Sequence, residues 1–355
     1  MTPQEKLKLL KRNTQEIITE EELLDLLKKK KQPVVYLGWS ITGRPHIGYY
    51  IPVLKLADFL NAGFKVKLLL ADLHGALDNT PWDVLEKRYK VYASTIPLMF
   101  KSIGVEIKNF EIARSKASEM PKDSLFSIVK GSDFQLKKEY VMDLLKLSTI
   151  TSINDAKRAA SEVVKFGDNP KLSGLIYPLM QSLDEQYLGV DVQYGGLDQR
   201  KILMFARENL PKLGYQRRVE FMTPLIPGLI GKKMSASDPK SKVDLLDDEK
   251  TVINKLKGAY CEEGIVEDNG VLAFLKNVIL TLKQDRKEKF VVERPEKYGG
   301  NLVFSNYEEV EKAYIDKELH PLDLKNAAAK ELNLLLEVFR KNKEELEKIA
   351  KEGYS

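Results

Sequence analysis

The sequence predicts an α/β protein: a parallel sheet with crossover helices, interrupted by an inserted helical block and followed by a helical C-terminal region. Three observations predict it. Apolar runs of strand length alternate with longer helical patterns over residues 33–112, and that alternation calls for a parallel sheet with right-handed crossovers. Between Arg114 and Tyr187 the alternation gives way to polar helical stretches, which reads as a subdomain inserted between strands. From about residue 247 onward the chain is charged and helical.

The elements follow in order. Residues 1–31 carry two charged helical stretches, the second opening on Thr19-Glu20-Glu21-Glu22, a hydroxyl cap followed by acids that suit a helix start. Residues 34–37 read as the first strand. A helix over 46–61 closes at Ala62-Gly63, and 65–71 is a second strand. A long amphipathic helix over 84–103 ends at Gly104, and 105–112 reads as a third strand. Helices over 135–148, 154–166 and 171–187 follow, with the insertion placed at about 113–170. The sheet resumes at 189–193, a helix spans 198–210, and 218–222 is expected to be the last strand. The expected division is a sheet domain over 1–246 and a helical domain over 247–355.

The chain has 355 residues, enough for a full core and two domains. Its 31% charged and 43% hydrophobic content is that of an ordinary globular protein, and a net charge of +5 is compatible with nucleic acid without specifying it. A single cysteine, Cys261, excludes an intrachain disulfide framework and a four-cysteine zinc site, and it suits a reducing compartment. Three histidines argue against a His-rich metal centre. No run approaches the ~18 apolar residues of a membrane span, and the first residues read as a charged helix rather than a signal peptide. The expectation is a cytoplasmic protein with no membrane contact.

The most informative segment runs from Tyr36 to Tyr49, an apolar strand, a small-residue turn containing Gly38 and Gly43, and then Pro45-His46-Ile47-Gly48. Proline suits a first helical turn, where its missing N–H would have no partner anyway. A strand leading through a glycine turn into a helix aims backbone N–H groups and the positive helix end at an anion. His46 stands where it could bond a phosphate oxygen. Far along the chain, Gly231-Lys232-Lys233-Met234-Ser235-Ala236-Ser237 supplies lysine charge and hydroxyls suited to a departing pyrophosphate. Tyr177, Gln181 and Asp184 are spaced four and three apart, so one helix face carries a phenol, an amide and a carboxylate. Leu175, Ile176, Leu179 and Met180 make that helix largely buried, so its polar groups need partners. Trp39 reads as packing.

The two loop segments together resemble the signature pair of class I aminoacyl-tRNA synthetases, whose catalytic domain is a Rossmann-like sheet. The wider set of segments, over about residues 10–345, resembles the archaeal and eukaryotic tyrosyl-tRNA synthetases. That resemblance implies tyrosine activation by Mg-ATP and transfer to tRNA(Tyr), without a tightly bound cofactor or a resident metal. It places Tyr36 and Asp184 on the tyrosine hydroxyl, Tyr177, Gln181 and Gln199 on the α-amino group, and His74 on the pocket wall. It places Gly38, Gly43, His46, Gly48, Tyr49, Asp198, Lys232, Lys233, Met234 and Ser235 on ATP, with His46, Lys233 and Ser235 stabilising charge in the reaction. For tRNA it implies Arg200 and Lys201, with Lys137, Lys138, Lys157 and Arg158, near the acceptor end. Tyr298, His320 and Asp323 would meet the anticodon in a helical C-terminal anticodon-binding domain. It further implies a homodimer through the inserted helices.

The sequence departs from the common motifs at Tyr49, where the first usually closes with histidine, and at Ala236, where the second usually has lysine. The stretch 111–127 is longer than usual in the family and reads as a surface insertion. The rivals are the tryptophanyl group, a non-catalytic RNA-binding relative and a plain nucleotidyltransferase. Tyr36 with Asp184 argues against the first, an intact His46, Lys233 and Asp198 against the second, and a C-terminal helical region against the third.

Overall fold

The computed structural model describes residues 1–107, 111–113, 124–230 and 242–354, with the side chains of 111–113 left aside. A seven-stranded sheet forms the centre, in the order β1-β7-β6-β2-β3-β5-β4. The strands are β1 (Glu16–Ile18), β2 (Val34–Ser40), β3 (Lys65–Ala71), β4 (Glu111–Ala113), β5 (Phe126–Lys130), β6 (Val192–Gly196) and β7 (Val219–Thr223). All pairings are parallel except β1 with β7. Parallel strands need covered faces, and buried apolar clusters lie on both: one runs from Leu10 to Ala350, the other is centred on Tyr36, Leu69 and Leu183.

Several expected elements shift. The strand beside β3 is Phe126–Lys130, which lies inside the range read as insertion; of the strand expected over 105–112, the described residues show Glu111–Ala113, on the sheet edge. Phe126 to Val129 are all buried. A short run buried on both faces shows no alternation, so its periodicity cannot announce a strand. The helical block therefore starts at Ser132, with helices Ser132–Gln135, Lys138–Thr149 and Ile153–Ala160, and continues into Leu172–Tyr187. After that helix, Gly189 takes a left-handed φ of 62° and β6 begins three residues later than expected. The edge strand β1 lies between the two N-terminal helices, Pro3–Lys11 and Glu20–Lys29, capped by Thr2 and Thr19 as their sequences imply.

The C-terminal region is helical except for a small antiparallel pair, β8 (Phe290–Val292) with β9 (Leu302–Phe304), which breaks the all-helical expectation. Its long helix Pro321–Arg340 and last helix Lys343–Tyr354 belong to the same buried cluster as the helix Leu85–Ser102 and the sheet face behind it. The Tyr50 hydroxyl donates to the Leu335 carbonyl across that boundary at 3.3 Å. The chain on either side of residue 246 thus shares one core. No helix among the described residues is long and apolar enough to cross a membrane.

Candidate active site

Open α/β sheets bind ligands beyond the carboxyl ends of their strands, and two compartments meet there. The first is a cavity of about 260 Å³ whose walls include Gly38, His46, Gly48, Tyr49, Asp198 and Gln199. His46 caps the short 3₁₀ turn Ile47–Tyr49: its Nδ1 accepts the Gly48 N–H at 3.1 Å. The regular helix begins only afterwards, at Tyr50. With Nδ1 accepting, a neutral imidazole carries its proton on Nε2. Burial, reinforced by nearby Lys242, pushes His46 down to about 3, so the ring is neutral at physiological pH. A Cβ at Gly195 or Gly196 would come within 3.0 Å of Gln199 Oε1 or 2.7 Å of Asp198 Oδ1, so a larger residue at either place would push those side chains aside. The glycines let those side chains fold back over the end of β6.

Gly43 is not on this wall. It lines a separate cavity of about 570 Å³ with Arg44, Lys242, Asp244 and Tyr354. Lys232, Lys233, Met234 and Ser235 lie outside the described residues, but the chain on either side of them is at the site. Pro224 to Ile226 form part of the first cavity wall. On return, the Ile47 N–H donates to the Val243 carbonyl at 3.0 Å, and His46 bridges Asp244 antiparallel.

The second compartment is sealed. Asp184 and Tyr36 are each 1% exposed and His74 is 2% exposed. One carboxylate oxygen of Asp184, Oδ1, accepts from Gln135 Nε2 at 2.8 Å and stands 2.9 Å from the Tyr140 hydroxyl, which also meets the Met180 carbonyl at 2.7 Å. The other, Oδ2, stands 3.8 Å from His74 Nε2, and neither atom has a hydrogen-bond partner; Gln135 Oε1 is likewise unpaired. Buried polar atoms ordinarily have partners, so three lone ones in one pocket mark a place built for a polar ligand. The Tyr36 hydroxyl donates to the Gln181 carbonyl at 3.2 Å, while the Gln181 amide reaches Gln199 Oε1 at 2.7 Å and ties this compartment to the first. Tyr177 packs edge-on against His74 at 4.7 Å. The structure thus brings Tyr36, His74, Tyr177, Gln181, Asp184 and Gln199 together.

Gln135 and Tyr140 are additions that the sequence did not disclose. They sit on separate short helices of the insertion, with no motif spacing, and only the tertiary fold turns both onto one carboxylate oxygen.

Burial dominates the electrostatics. It pushes Asp184 up to about 8, against the pull of the Gln135 and Tyr140 hydrogen bonds. It pushes His74 down to about 4. Below the pocket, one register row is polar across the five central strands: Ser127, Lys67, Tyr36, Gln193 and Glu220. Paired strand residues share a face, and Glu185 reaches the same region from the helix above. Burial raises Glu220 and Glu185, the latter to about 8, although Arg218 and Arg207 pull both down. Lys67 donates to the Leu188 carbonyl at 2.6 Å, and burial lowers it to about 8.

The residues expected to meet RNA are scattered over the surface. Arg200 is held by Glu16 at 2.6 Å and Lys201 by Glu162 at 2.9 Å. Tyr298, 63% exposed, ends a turn that Arg294 ties to the Glu318 carbonyl, beside the start of the helix Pro321–Arg340. His320 is the cap of that helix, its Nδ1 accepting the Leu322 N–H at 3.1 Å, and Asp323 lies in the first turn. Helix capping occupies the acceptor nitrogen of His320, which leaves Nε2 alone for any other contact.

A parallel sheet carrying these two joined compartments at its carboxyl edge is the framework of the class I tRNA synthetases. The chain belongs to that family: the description "tRNA synthetases class I (W and Y)" fits residues 28–337. Within it, the chain is similar to tyrosine enzymes. It is 45% identical to the cytoplasmic tyrosine–tRNA ligase of Gallus gallus over 99% of this chain, and spans 64% of that relative's length. It is 42% identical to the tyrosine–tRNA ligase of Haloarcula marismortui over 100% of this chain and 98% of the relative. The crystal structure of the Archaeoglobus fulgidus tyrosyl-tRNA synthetase complexed with L-tyrosine superposes with a TM-score of 0.83 at 40% identity, covering 96% and 99% of the two chains.

Proposed function

We propose that the chain is a tyrosine–tRNA ligase, which joins tyrosine to the 3′-terminal ribose of tRNA(Tyr) through a tyrosyl-adenylate. The observation that carries this reading is the sealed polar pocket around Asp184. A phenol both donates and accepts a hydrogen bond, and Asp184 Oδ2 with the neutral His74 Nε2 offers an acceptor and a ring nitrogen 3.8 Å apart in a dry site. An indole offers only a donor, so the same pocket disfavours tryptophan. Tyr36 closes the pocket from the strand side. Gln181, Gln199 and Tyr177, at its junction with the open cavity, suit the substrate α-ammonium and set the carboxylate toward ATP.

ATP occupies the open cavity, bringing Mg²⁺ with it as part of the substrate. The tyrosine carboxylate attacks the α-phosphorus, the bond to the bridging oxygen breaks, and pyrophosphate leaves with the charge. His46 Nε2–H and the turn's N–H groups stabilise the developing charge together with Lys233 and Ser235, and Asp198 holds the ribose. Positioning and charge stabilisation supply the catalysis. The adenylate's mixed anhydride is then attacked by a ribose hydroxyl of the tRNA, and AMP leaves. The chicken relative is named cytoplasmic, and we assign the same compartment here.

The decisive measurement is exchange of labelled pyrophosphate into ATP with each of the twenty amino acids. Tyrosine is expected to dominate, and dominant exchange with another amino acid would sink the assignment. The anticodon role is tested by Tyr298→Ala: pyrophosphate exchange stays at the wild-type rate, while KM for tRNA rises about tenfold, the worth of one stacked base. A wild-type KM for tRNA would remove Tyr298 from the interface.

Exposed apolar side chains support a homodimer through the inserted helices. Val141, Met142 and Leu145 share one face of Lys138–Thr149, and Leu136, Ile150 and Ile153 flank it, all exposed. Such a patch is rare on a monomer. Leu145→Glu is expected to shift sedimentation from dimer to monomer, whereas an unchanged dimer would place the interface elsewhere.

A further inference from the structure

The glycine turn is held from outside the ATP cavity. Three consecutive carbonyls, of Thr42, Gly43 and Arg44, each accept a side-chain hydrogen bond. Arg88 donates to Thr42, Lys242 donates to Arg44 at 3.3 Å, and two phenols donate to Gly43: Tyr92 at 2.6 Å and Tyr354 at 2.7 Å. Tyr92 has one proton and the Gly43 carbonyl can only accept, so the 2.9 Å contact between the Tyr92 and Tyr49 hydroxyls has Tyr49 as its donor. The result is a directed chain, Tyr49 to Tyr92 to Gly43, met on the same oxygen by Tyr354.

Tyr354 belongs to the last helix of the C-terminal region. Arg88 stacks on its ring at 4.8 Å and donates to the Gly353 carbonyl at 3.1 Å. Neither Tyr92 nor Tyr354 lines the cavity that holds His46.

Carbonyl oxygens repel a phosphate. A turn can present its N–H groups to an anion only if its carbonyls are kept turned away. We infer that Tyr49, Tyr92 and Tyr354 are positioning residues for adenylation, a three-phenol brace that fixes the Gly43 carbonyl away from the triphosphate and couples the turn to the C-terminal helix. This rests on reading the turn as the ATP site. It also gives Tyr49 a role distinct from that of a histidine at the same place: its hydroxyl is spent on Tyr92, and it acts on the turn through that residue.

Both donors meet one acceptor, so the brace is redundant by construction. Tyr92→Phe or Tyr354→Phe leaves one phenol on Gly43, and the double variant leaves none. In the full chain, amide hydrogen exchange of residues 42–48 and the kinetics of ATP–pyrophosphate exchange are compared across the three variants. The double variant is expected to lose about tenfold more than the product of the two single effects, both in local protection and in kcat/KM for ATP. KM for tyrosine stays at the wild-type value. Tyr354→Ala, which also loses the Arg88 stack, should be worse than Tyr354→Phe. Multiplicative single effects, or protection of 42–48 unchanged in the double variant, would overturn the brace. A wild-type chain that failed to exchange pyrophosphate with tyrosine would defeat the functional reading instead, while amide protection would still decide the brace.

Discussion

Asp184→Asn is expected to lower kcat/KM for tyrosine activation by about 10²-fold or more, without lowering stability. The Gln135 amide donates to Oδ1, and the Tyr140 hydroxyl lies beside the same oxygen. An asparagine in the same rotamer must therefore place its carbonyl oxygen there and its NH₂ where Oδ2 stood. The acceptor facing the substrate becomes a donor, and the phenol proton is left unpaired in a dry pocket. Losing that hydrogen bond and stranding its partner in a buried site costs about 3 kcal/mol, which is the quoted factor. Tyrosyl-tRNA synthetases are themselves the established instance of discrimination through a substrate hydroxyl. Stability should move the other way. Asp184 is raised from 3.8 to about 8 by burial, so between those values the native state holds a proton that the unfolded chain has released. Stability contributed by this group therefore falls as pH rises from about 4 to about 8, by on the order of 1 kcal/mol per pH unit. An amide is neutral like the protonated acid and does not titrate, but unlike the acid, which can carry its proton on Oδ1, it has no acceptor at the Oδ2 position. Urea unfolding from pH 5 to 8 should show the variant gaining on the wild type as pH rises. A constant difference would mean that Asp184 is ionised throughout.

The second large effect is at His46. His46→Ala should reduce the rate of adenylate formation by about 10²- to 10³-fold, the typical worth of one preorganised donor on a developing negative charge. Tyrosine affinity should be unchanged, because His46 lies in the other compartment. The ring does two things, and they separate. Its Nδ1 caps the turn, worth about 1 kcal/mol, and its Nε2–H faces the ligand. Asparagine reproduces the first, since its oxygen can accept the Gly48 N–H, but cannot reach as far as Nε2. His46→Asn should restore the turn and leave the rate as low as alanine does. Burst-phase pyrophosphate release measures that rate directly; full activity in the asparagine variant would show that only the cap matters. The imidazole is pushed down to about 3, so its protonation leaves the wild-type rate level between pH 5 and 8.

Much of this site is legible in the sequence because its residues lie close together along the chain. Tyr177, Gln181 and Asp184 share a helix face by their spacing alone. Gly38, His46 and Gly48 follow from strand, turn and helix start, and Asp198 and Gln199 from the end of β6. What escaped is of two kinds. Short strands buried on both faces, such as β5, carry no periodic signal, and an isolated three-residue edge strand such as β1 is too brief to have one. Residues joined only by the fold, Gln135 and Tyr140 on Asp184 or Tyr92 and Tyr354 on Gly43, lie 44 or more positions from the group they serve.

By itself the sequence determined the sheet class and the presence of inserted helices, and it put Tyr177, Gln181 and Asp184 on one helix face, because local spacing sets which residues share a strand end or a helix face. Only the tertiary structure decided how those groups are tuned. Burial sets the protonation of Asp184, His74 and His46, through the loss of water from residues distant in sequence. The direction of the glycine turn is set by phenols from two other helices. A charge's environment and a carbonyl's orientation depend on what is packed around them in space, and that is a property of the folded chain.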